Sequence, residues 1–344
     1  MIDPNHPADD DMTTTVVTIT KDRNEHLENL MLGLARSSVL PASLVVVDMA
    51  SKRSPVDSCR DARRECERNG IEVAEVSVPV GRMTPLAAAR NAGATAARGD
   101  HLIFLDVDCI PAVDLVEHYR RGHAPGLVCG PVRYLGPGWR NECPAMSDEH
   151  LTVASDQHPV RPAPVVDVTE PSYNLFWSLS FATDRQTFDA IGGFDERFVG
   201  YGAEDTDFAY TAREKQISLR WLAHGVAFHQ WHPSSSPPTA HLESIVANAQ
   251  RFHAKWGEWP MVGFSRGALP TIVAADVGAL VPGGDVEALS LAIGQAAAID
   301  RARCRQRAVT HFSSETMTRA YAQHYRMLIA RSSESRTPSG IAGG

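Results

Sequence analysis

Two carboxylates, Asp106 and Asp108, stand one residue apart where the apolar run HLIFLD (101–106) ends. Along an extended chain, side chains two positions apart point to the same side. Paired carboxylates repel unless a cation or an array of donors lies between them. Hard divalent ions such as Mg²⁺ and Mn²⁺ take oxygen ligands and often share them with substrate phosphates. An acidic strand-to-loop turn is the plainer alternative. A second acidic group, Glu204, Asp205 and Asp207 in GYGAEDTDF (200–208), crowds one helix start. Repulsion there raises at least one pKa, which suits a general base; ordinary capping of a helix N-terminus explains the same residues structurally. Glycines on both sides of Tyr201 let the backbone turn sharply and present side chains to a cleft. His224, His229 and His232 close a further apolar run, the last two three residues apart. Imidazole ligates Mn²⁺ and Zn²⁺, although one such histidine is more often a satisfied structural residue. Lys21 and Arg23, which follow the first apolar run, and Arg90 in AAARNAG could counter a diphosphate. Each of these cations is also compatible with ordinary surface.

The elements that must carry these groups alternate. TTVVTIT (14–20), LVVVD (44–48), IEVAEVSV (71–78) and HLIFLD (101–106) read as strands, separated by helical patterns over 24–37, 55–69 and 84–97. Short apolar runs alternating with helices imply βαβ units and a parallel sheet, with ligands beyond the carboxyl ends of the strands. KDR (21–23), Asp48 and DVD (106–108) would all fall on that edge. From about 132 to 172 the periodicity dissolves into Pro- and Gly-rich chain, the mark of a functional or disordered loop. NLFWSLSFAT (174–183) reads as a strand and EDTDFAYTAREK (204–215) as a helix. WLAHGVAFHQWH (221–232) begins as a strand, and a helix runs to about 257.

The 344 residues are 43% hydrophobic and 22% charged, a globular composition with room for about two domains. Lys plus Arg number 33 against 41 Asp plus Glu, a net charge of −8, which argues against nucleic acid as the main partner. Six scattered cysteines form no CxxC pair and no zinc-like cluster. The start, MIDPNHPADDDMTTT, has neither the basic residues nor the apolar run of a signal peptide. No window is long and apolar enough to span a bilayer. A cytoplasmic location is expected, with contact at the inner face of a membrane left open.

Taken together, VVTITKDRNEHL (16–27), LVVVD (44–48), ARNAGATAARGDHLIFLDVDCIP (89–111) and GGFDERFVGYGAEDTDF (192–208) resemble a family 2 glycosyltransferase of GT-A fold. RNEHL, DVDCIP and GYGAEDTD are similar to the RxEHL-like, DVDxIP and GWGGEDDD segments of β-1,4-galactosyltransferase-type enzymes. The resemblance implies an α/β fold with a mostly parallel Rossmann-like sheet flanked by helices, over 14–257. Residues 14–131 would bind the nucleotide, and 132–257 would bind the acceptor and carry catalysis. It implies an inverting, metal-dependent hexosyl transfer from a UDP-sugar, galactose or N-acetylgalactosamine by family weight. The acceptor would be a glycan, a glycolipid or a small metabolite. By the same resemblance, Thr20, Lys21, Arg23, Asp48, Arg90 and Asp106 would line the nucleotide pocket. Asp108 and His229, with help from Asp106, would hold Mn²⁺ or Mg²⁺, the choice between His229 and His232 being open. Asp205 would be the base beside Glu204. Trp177, Ser180, Tyr201 and Gly202 would line the sugar and acceptor pocket.

Three positions depart from the galactosyltransferase pattern. Tyr201 replaces a Trp. Val226 stands where, counting back three residues from His229, those enzymes have a ligating Met. TPL (84–86) replaces a Phe-x-Arg nucleotide contact. The remainder, through GALVPGGD and a series of Ala-rich helices to 329, resembles the C-terminal end of family 4 glycosyltransferases. It reads as a helical appendage over 258–330, available for packing on the core or for homodimer contacts, between a disordered leader (1–13) and a disordered tail (331–344). A catalytically inactive sugar-nucleotide or glycan-binding module is the main alternative, as is a transferase using another nucleotide sugar. A nucleotidyltransferase is disfavoured because no Gly-rich phosphate loop follows the first strand. A polymerising enzyme is disfavoured because no channel or second transferase module is present.

Overall fold

The structure is a computed structural model, and it describes residues 12–143, 146–158, 161–169, 173–233, 241–258 and 300–312. The chain divides into two compact units, Met1–Pro260 and Met261–Gly344. The second is described only over its helix Arg301–Phe312 and the residue before it. The expectations for most of the leader, for the rest of the appendage and for the tail lie outside the described residues. Among the described residues, no helix is long and apolar enough to cross a membrane.

Twelve strands are described: β1 (Thr14–Thr20), β2 (Ser43–Asp48), β3 (Glu72–Ser77), β4 (His101–Leu105), β5 (Cys109–Pro111), β6 (Leu127–Cys129), β7 (Val132–Leu135), β8 (Ser155–Gln157), β9 (Val168–Thr169), β10 (Ser180–Asp184), β11 (Leu219–Trp221) and β12 (Ala227–His229). The larger sheet runs β3-β2-β1-β4-β10-β6-β11-β9. Its first four strands are parallel, and β10 enters antiparallel between β4 and β6. Every residue of β1 is buried, as expected for a central strand covered on both faces. Parallel pairing sets Thr20 beside Asp48 at the carboxyl edge, and the chain beyond β4 leaves from that same edge. The expected gathering of KDR, Asp48 and DVD at one edge therefore holds.

The main helices are α1 (Asn24–Ala35), α2 (Pro55–Ser58), α3 (Arg60–Arg68), α4 (Leu86–Ala96), α5 (Leu115–Arg121), α6 (Trp139–Glu142), α7 (Asp148–Val153), α8 (Arg185–Ile191), α9 (Glu204–Glu214) and α10 (Leu242–Trp256). Helix α4 lies so close to the sheet that a Cβ on Gly93 would stand 2.3 Å from a methyl of Val17, so the Ala- and Gly-rich composition of that helix is a packing requirement. Helix α9 is seated on the sheet by rings. Phe104 of β4 stacks on Phe181 of β10 at 4.6 Å, and Phe194 stacks on Phe208 of α9 at 4.2 Å. Fully burying each such ring contributes roughly 1.5–3 kcal/mol.

Four expectations change. The helix over 55–69 is two helices, broken at Cys59. NLFWSLSFAT is a strand only from Ser180; Tyr173–Leu175 is a 3-10 turn, because Phe176 turns in to pack edge-on against Phe181. WLAHGVAFHQWH supplies two strands in two sheets, β11 and β12, separated at Gly225, whose φ is +77°. The aperiodic 132–172 stretch carries β7 and β8, which join β5 and β12 in a four-stranded sheet ordered β5-β12-β7-β8.

Candidate active site

The two DVD carboxylates do not point the same way. Strand β4 stops at Leu105, and Asp106–Cys109 close a tight turn, the Cys109 N–H donating to the Asp106 carbonyl at 2.8 Å. Asp106 Oδ1 accepts from Arg90 Nη2 at 3.1 Å. Asp108 Oδ2 instead lies 3.5 Å from His229 Nε2 and 3.4 Å from His232 Nε2. These three residues form the metal-competent cluster found among the described residues, their ligand atoms within 4.8 Å of one another; Asp106 is not part of it, because its carboxylate is turned to Arg90. The donor set fits a divalent cation. Asp108 Oδ1 is buried without a hydrogen-bond partner. Burial lowers the pKa of His229, which keeps its imidazole neutral and able to ligate. For Asp108, burial pushes the pKa up, but the hydrogen bond from His232, the neighbouring imidazoles when protonated, and Arg23 outweigh it and hold the carboxyl below its ordinary value.

Both histidines therefore enter the cluster. The residue three before the last histidine is then His229, a ligand type, and Val226 packs beside the small apolar cluster of Ile110 and Phe228. His224 stands apart, stacked on His118 at 5.1 Å. Gln230, between the two ligand-type histidines, faces the other way and is buried. Its N–H donates to the Asp108 carbonyl (2.6 Å), its Oε1 accepts from Asn29 (2.5 Å), and its Nε2 donates to the His26 carbonyl (3.1 Å). The histidine strand is thus tied both to helix α1 and to the DVD turn. No pattern in the sequence marks Gln230 or Asn29; strand alternation alone places Gln230 opposite its neighbours.

At the carboxyl edge of β1, Thr20 is buried with its hydroxyl unpartnered, and Arg23 buries an unpartnered Nη1 beside the cluster. Lys21 is half-buried nearby. Asp48 accepts the Ser51 N–H at 3.0 and 3.2 Å, so part of its capacity shapes its own loop. Arg90 departs from the expected place in a nucleotide pocket. It is 4% exposed, and its guanidinium bridges Asp106 and Glu204 Oε1 (3.3 Å) over the Phe194 ring. Those contacts leave it facing carboxylates of the protein. Ser180 departs likewise: it is fully buried with its hydroxyl bonded to Tyr119 at 2.8 Å, inside the core. Trp177 is half-buried, edge-on to His158 at 4.7 Å with Arg161 over its face. Tyr201 is half exposed and stacks on His241 at 5.1 Å, and Gly202 follows it with φ +101°.

The three acidic residues that open α9 separate into distinct settings. Asp207 is buried and holds Lys255 Nζ (2.9 Å) and Trp256 Nε1 (2.8 Å), a docking contact with α10. Asp205 is half-buried and accepts the Thr206 N–H; burial raises its pKa against the opposing pull of Arg90. Glu204 keeps Oε2 buried and unpartnered. Burial, then the Asp205 charge, push Glu204 up to about 7 against Arg90, and burial pushes Asp106 up to about 6. A folded-state value above the ordinary one means that ionising Glu204 costs stability as pH rises from about 4.5 through about 7. The melting temperature of Glu204→Gln relative to the native chain is accordingly expected to rise between pH 5 and pH 8. A difference that does not change with pH would contradict the burial argument.

Comparison with known proteins now adds to this geometry. Residues 15–144 match the family described as Glycosyl transferase family 2, and residues 164–232 match the N-terminal domain of galactosyltransferase. Over residues 15–144 the chain is similar to family 2 glycosyltransferases, and its fold is GT-A. Residues 164–232 are galactosyltransferase-like. Two curated relatives, each named validoxylamine A glucosyltransferase, come from Streptomyces hygroscopicus subsp. limoneus and from Streptomyces hygroscopicus subsp. jinggangensis (strain 5008). Each is 26% identical over 264 residues, covering 70% of this chain and 56% and 60% of the relatives, respectively. The match thus spans little more than half of those longer proteins. Among solved structures, GalNAc-T7 with UDP, GalNAc and Mn²⁺ superposes with a TM-score of 0.52 at 16% identity, over 71% of this chain and 48% of that one, a likeness of fold.

Proposed function

We propose that this transferase moves a hexosyl group from a UDP-sugar to an acceptor hydroxyl with inversion at the anomeric carbon. The observation that carries the proposal is the set of groups gathered around one sheet edge. Asp108, His229 and His232 form a cation cluster beside an unpartnered Arg23 nitrogen, and Asp205 shares with Asp106 and Glu204 the field of Arg90. Asp108, His229 and His232 would hold Mn²⁺ or Mg²⁺, which would supply positive charge to a leaving diphosphate. Arg23 and Lys21 would bind phosphate oxygens, Arg23 in a bidentate manner, and Thr20 and Asp48 would meet the nucleoside. Asp205 would accept the proton of the acceptor hydroxyl as that oxygen bonds to the anomeric carbon and the bond from that carbon to the diphosphate oxygen breaks. Tyr201 and Trp177, as exposed or half-exposed rings, would stack on sugar faces.

The relatives' names point to glucose, and the GalNAc-T7 complex holds UDP and GalNAc. The donors to try are therefore UDP-glucose, UDP-galactose and UDP-N-acetylgalactosamine. Release of UDP with Mn²⁺ present, followed by NMR of the product, tests the reading. A β-linked product from these α-linked donors is expected; an α-linked product would refute inversion, and no release from any sugar nucleotide would refute the transfer. Removing ligands gives a second test. His229→Ala and His232→Ala are each expected to weaken Mn²⁺ binding by about tenfold or more, followed by titration calorimetry on the protein alone. Native affinity in both variants would dissolve the cluster as a cation site.

A further inference from the structure

The loop that delivers Glu204 and Asp205 is held in an uncommon conformation. Gly200, Gly202 and Ala203 all have left-handed backbone, with φ of +82°, +101° and +69°. Glycine adopts this region freely, whereas the Cβ of Ala203 meets steric resistance there. A strained turn persists only where its surroundings over-determine it, and here one helix supplies most of the hold. Asn248, in the middle of α10 and only 2% exposed, donates from Nδ2 to the Val199 carbonyl at 3.1 Å and to the Gly202 carbonyl at 2.9 Å. One turn earlier, the buried Ser244 accepts the Tyr201 N–H through Oγ at 3.2 Å and fills the space beside Gly200, where a Cβ would stand 2.5 Å from the Ser244 Cβ. On the loop's other flank the Gly200 N–H donates to the Thr84 carbonyl at 2.9 Å.

Helix α10 is itself well seated. Phe252 packs with Phe198 and Tyr210, and Lys255 and Trp256 bind the buried Asp207 of α9. One amide therefore joins two carbonyls across the loop, from a helix already fixed to the element that the loop leads into.

We propose that Asn248 is a positioning residue for transfer: it clamps the 199–203 turn so that Glu204 and Asp205 begin α9 facing the acceptor. This rests on the reading of Asp205 as the base. It assigns a catalytic consequence to a residue that lies outside both family matches. A clamp on the acceptor-side loop should act on turnover and leave the donor side alone, since the cation cluster and Arg23 sit on β12, the DVD turn and the start of α1.

The test compares native chain, Asn248→Ala and Asn248→Asp. The aspartate keeps the size and replaces both donor hydrogens with a carboxylate that faces two carbonyl oxygens. Backbone hydrogen exchange over residues 199–206 is expected to quicken in both variants, with Mn²⁺ affinity unchanged. The kcat for transfer is expected to fall by about 10²-fold, the scale of a small misplacement of a catalytic group, with donor KM nearly constant. Loop exchange as slow in Asn248→Asp as in the native chain overturns the clamp, whatever the activity. Loss confined to donor KM overturns it also. A native chain that releases no UDP from any donor refutes the functional reading instead, so the two failures are distinct. Should Asn248→Ala not fold by circular dichroism, Ser244→Ala removes a single loop bond and is expected to show the same pattern at smaller amplitude; native exchange there counts against the proposal.

Discussion

Asp205→Asn is expected to lower kcat by about 10²–10⁴-fold, the span of general acid–base catalysis, while UDP and Mn²⁺ bind as in the native chain. The amide has nearly the shape of the carboxylate and can still accept from the Thr206 N–H, so the opening of α9 should not move. It cannot take a proton from a hydroxyl at neutral pH. Donor-side groups are on other elements, so binding of UDP reports on them separately. Calorimetry with UDP and Mn²⁺, together with steady-state transfer, makes the measurement. Near-native turnover would remove Asp205 from the role of base. Failure to bind UDP would mean that the residue supports the donor site.

The second large effect is on stability. Arg90→Met is expected to cost about 3–5 kcal/mol, the usual penalty for removing one partner of a buried ion pair. Arg90 and Glu204 are both almost fully buried and Asp106 is largely so; the single guanidinium compensates both carboxylates. Methionine matches the length of the chain and can lie on Phe194, so packing is largely kept and the lost charge dominates. The sign with pH is determined by the carboxylates. Both have folded-state values raised by burial, Asp106 to about 6 and Glu204 to about 7. Without Arg90 they rise further and take up protons at low pH, which relieves the penalty. The deficit of Arg90→Met should therefore be smaller at pH 5 than at pH 8. A unit of this size loses about 2–4 °C of Tm per kcal/mol, so thermal denaturation at the two pH values resolves it. An equal or smaller loss at pH 8 would show that Arg90 acts through its packing. Lysine is not expected to rescue, since one ammonium point cannot span two acceptors as a planar fork does.

The fold was largely legible because its signals are local. β-branched runs and Ala-rich helices repeat in βαβ order, and the ends of β1, β2 and β4 carry their polar residues in the sequence itself. The individual acidic and basic residues were also visible by type. Their partners were not. Arg90 reads as a candidate phosphate ligand from its type and the resemblance, and its commitment to Glu204 needs α4 and α9 to meet on one face of the sheet. Ser180 reads as pocket lining until Tyr119 is found beneath it. Asp207 reads as one more carboxylate of the acidic helix start until Lys255 and Trp256 arrive from α10. The choice between His229 and His232 had no answer in one dimension, because a short strand and the turn after it bring both rings to Asp108. Gln230 and Asn248 are uncharged amides in unremarkable positions. Their importance comes from carbonyls contributed by distant chain, which no periodicity encodes.

The pairing of β12 with β5 also bears on how the molecule folds. His229 is the register partner of Cys109, which directly follows Asp108. The proposed cation ligands are thus joined by a short antiparallel ladder whose two strands enclose, in sequence, β6 through β11 and the helices among them. A partly folded chain that had built only its first βαβ units would own Asp108 without either histidine. An ion that binds all three side chains would then recognise the finished unit and not its precursors, and would draw the folding equilibrium toward it by mass action.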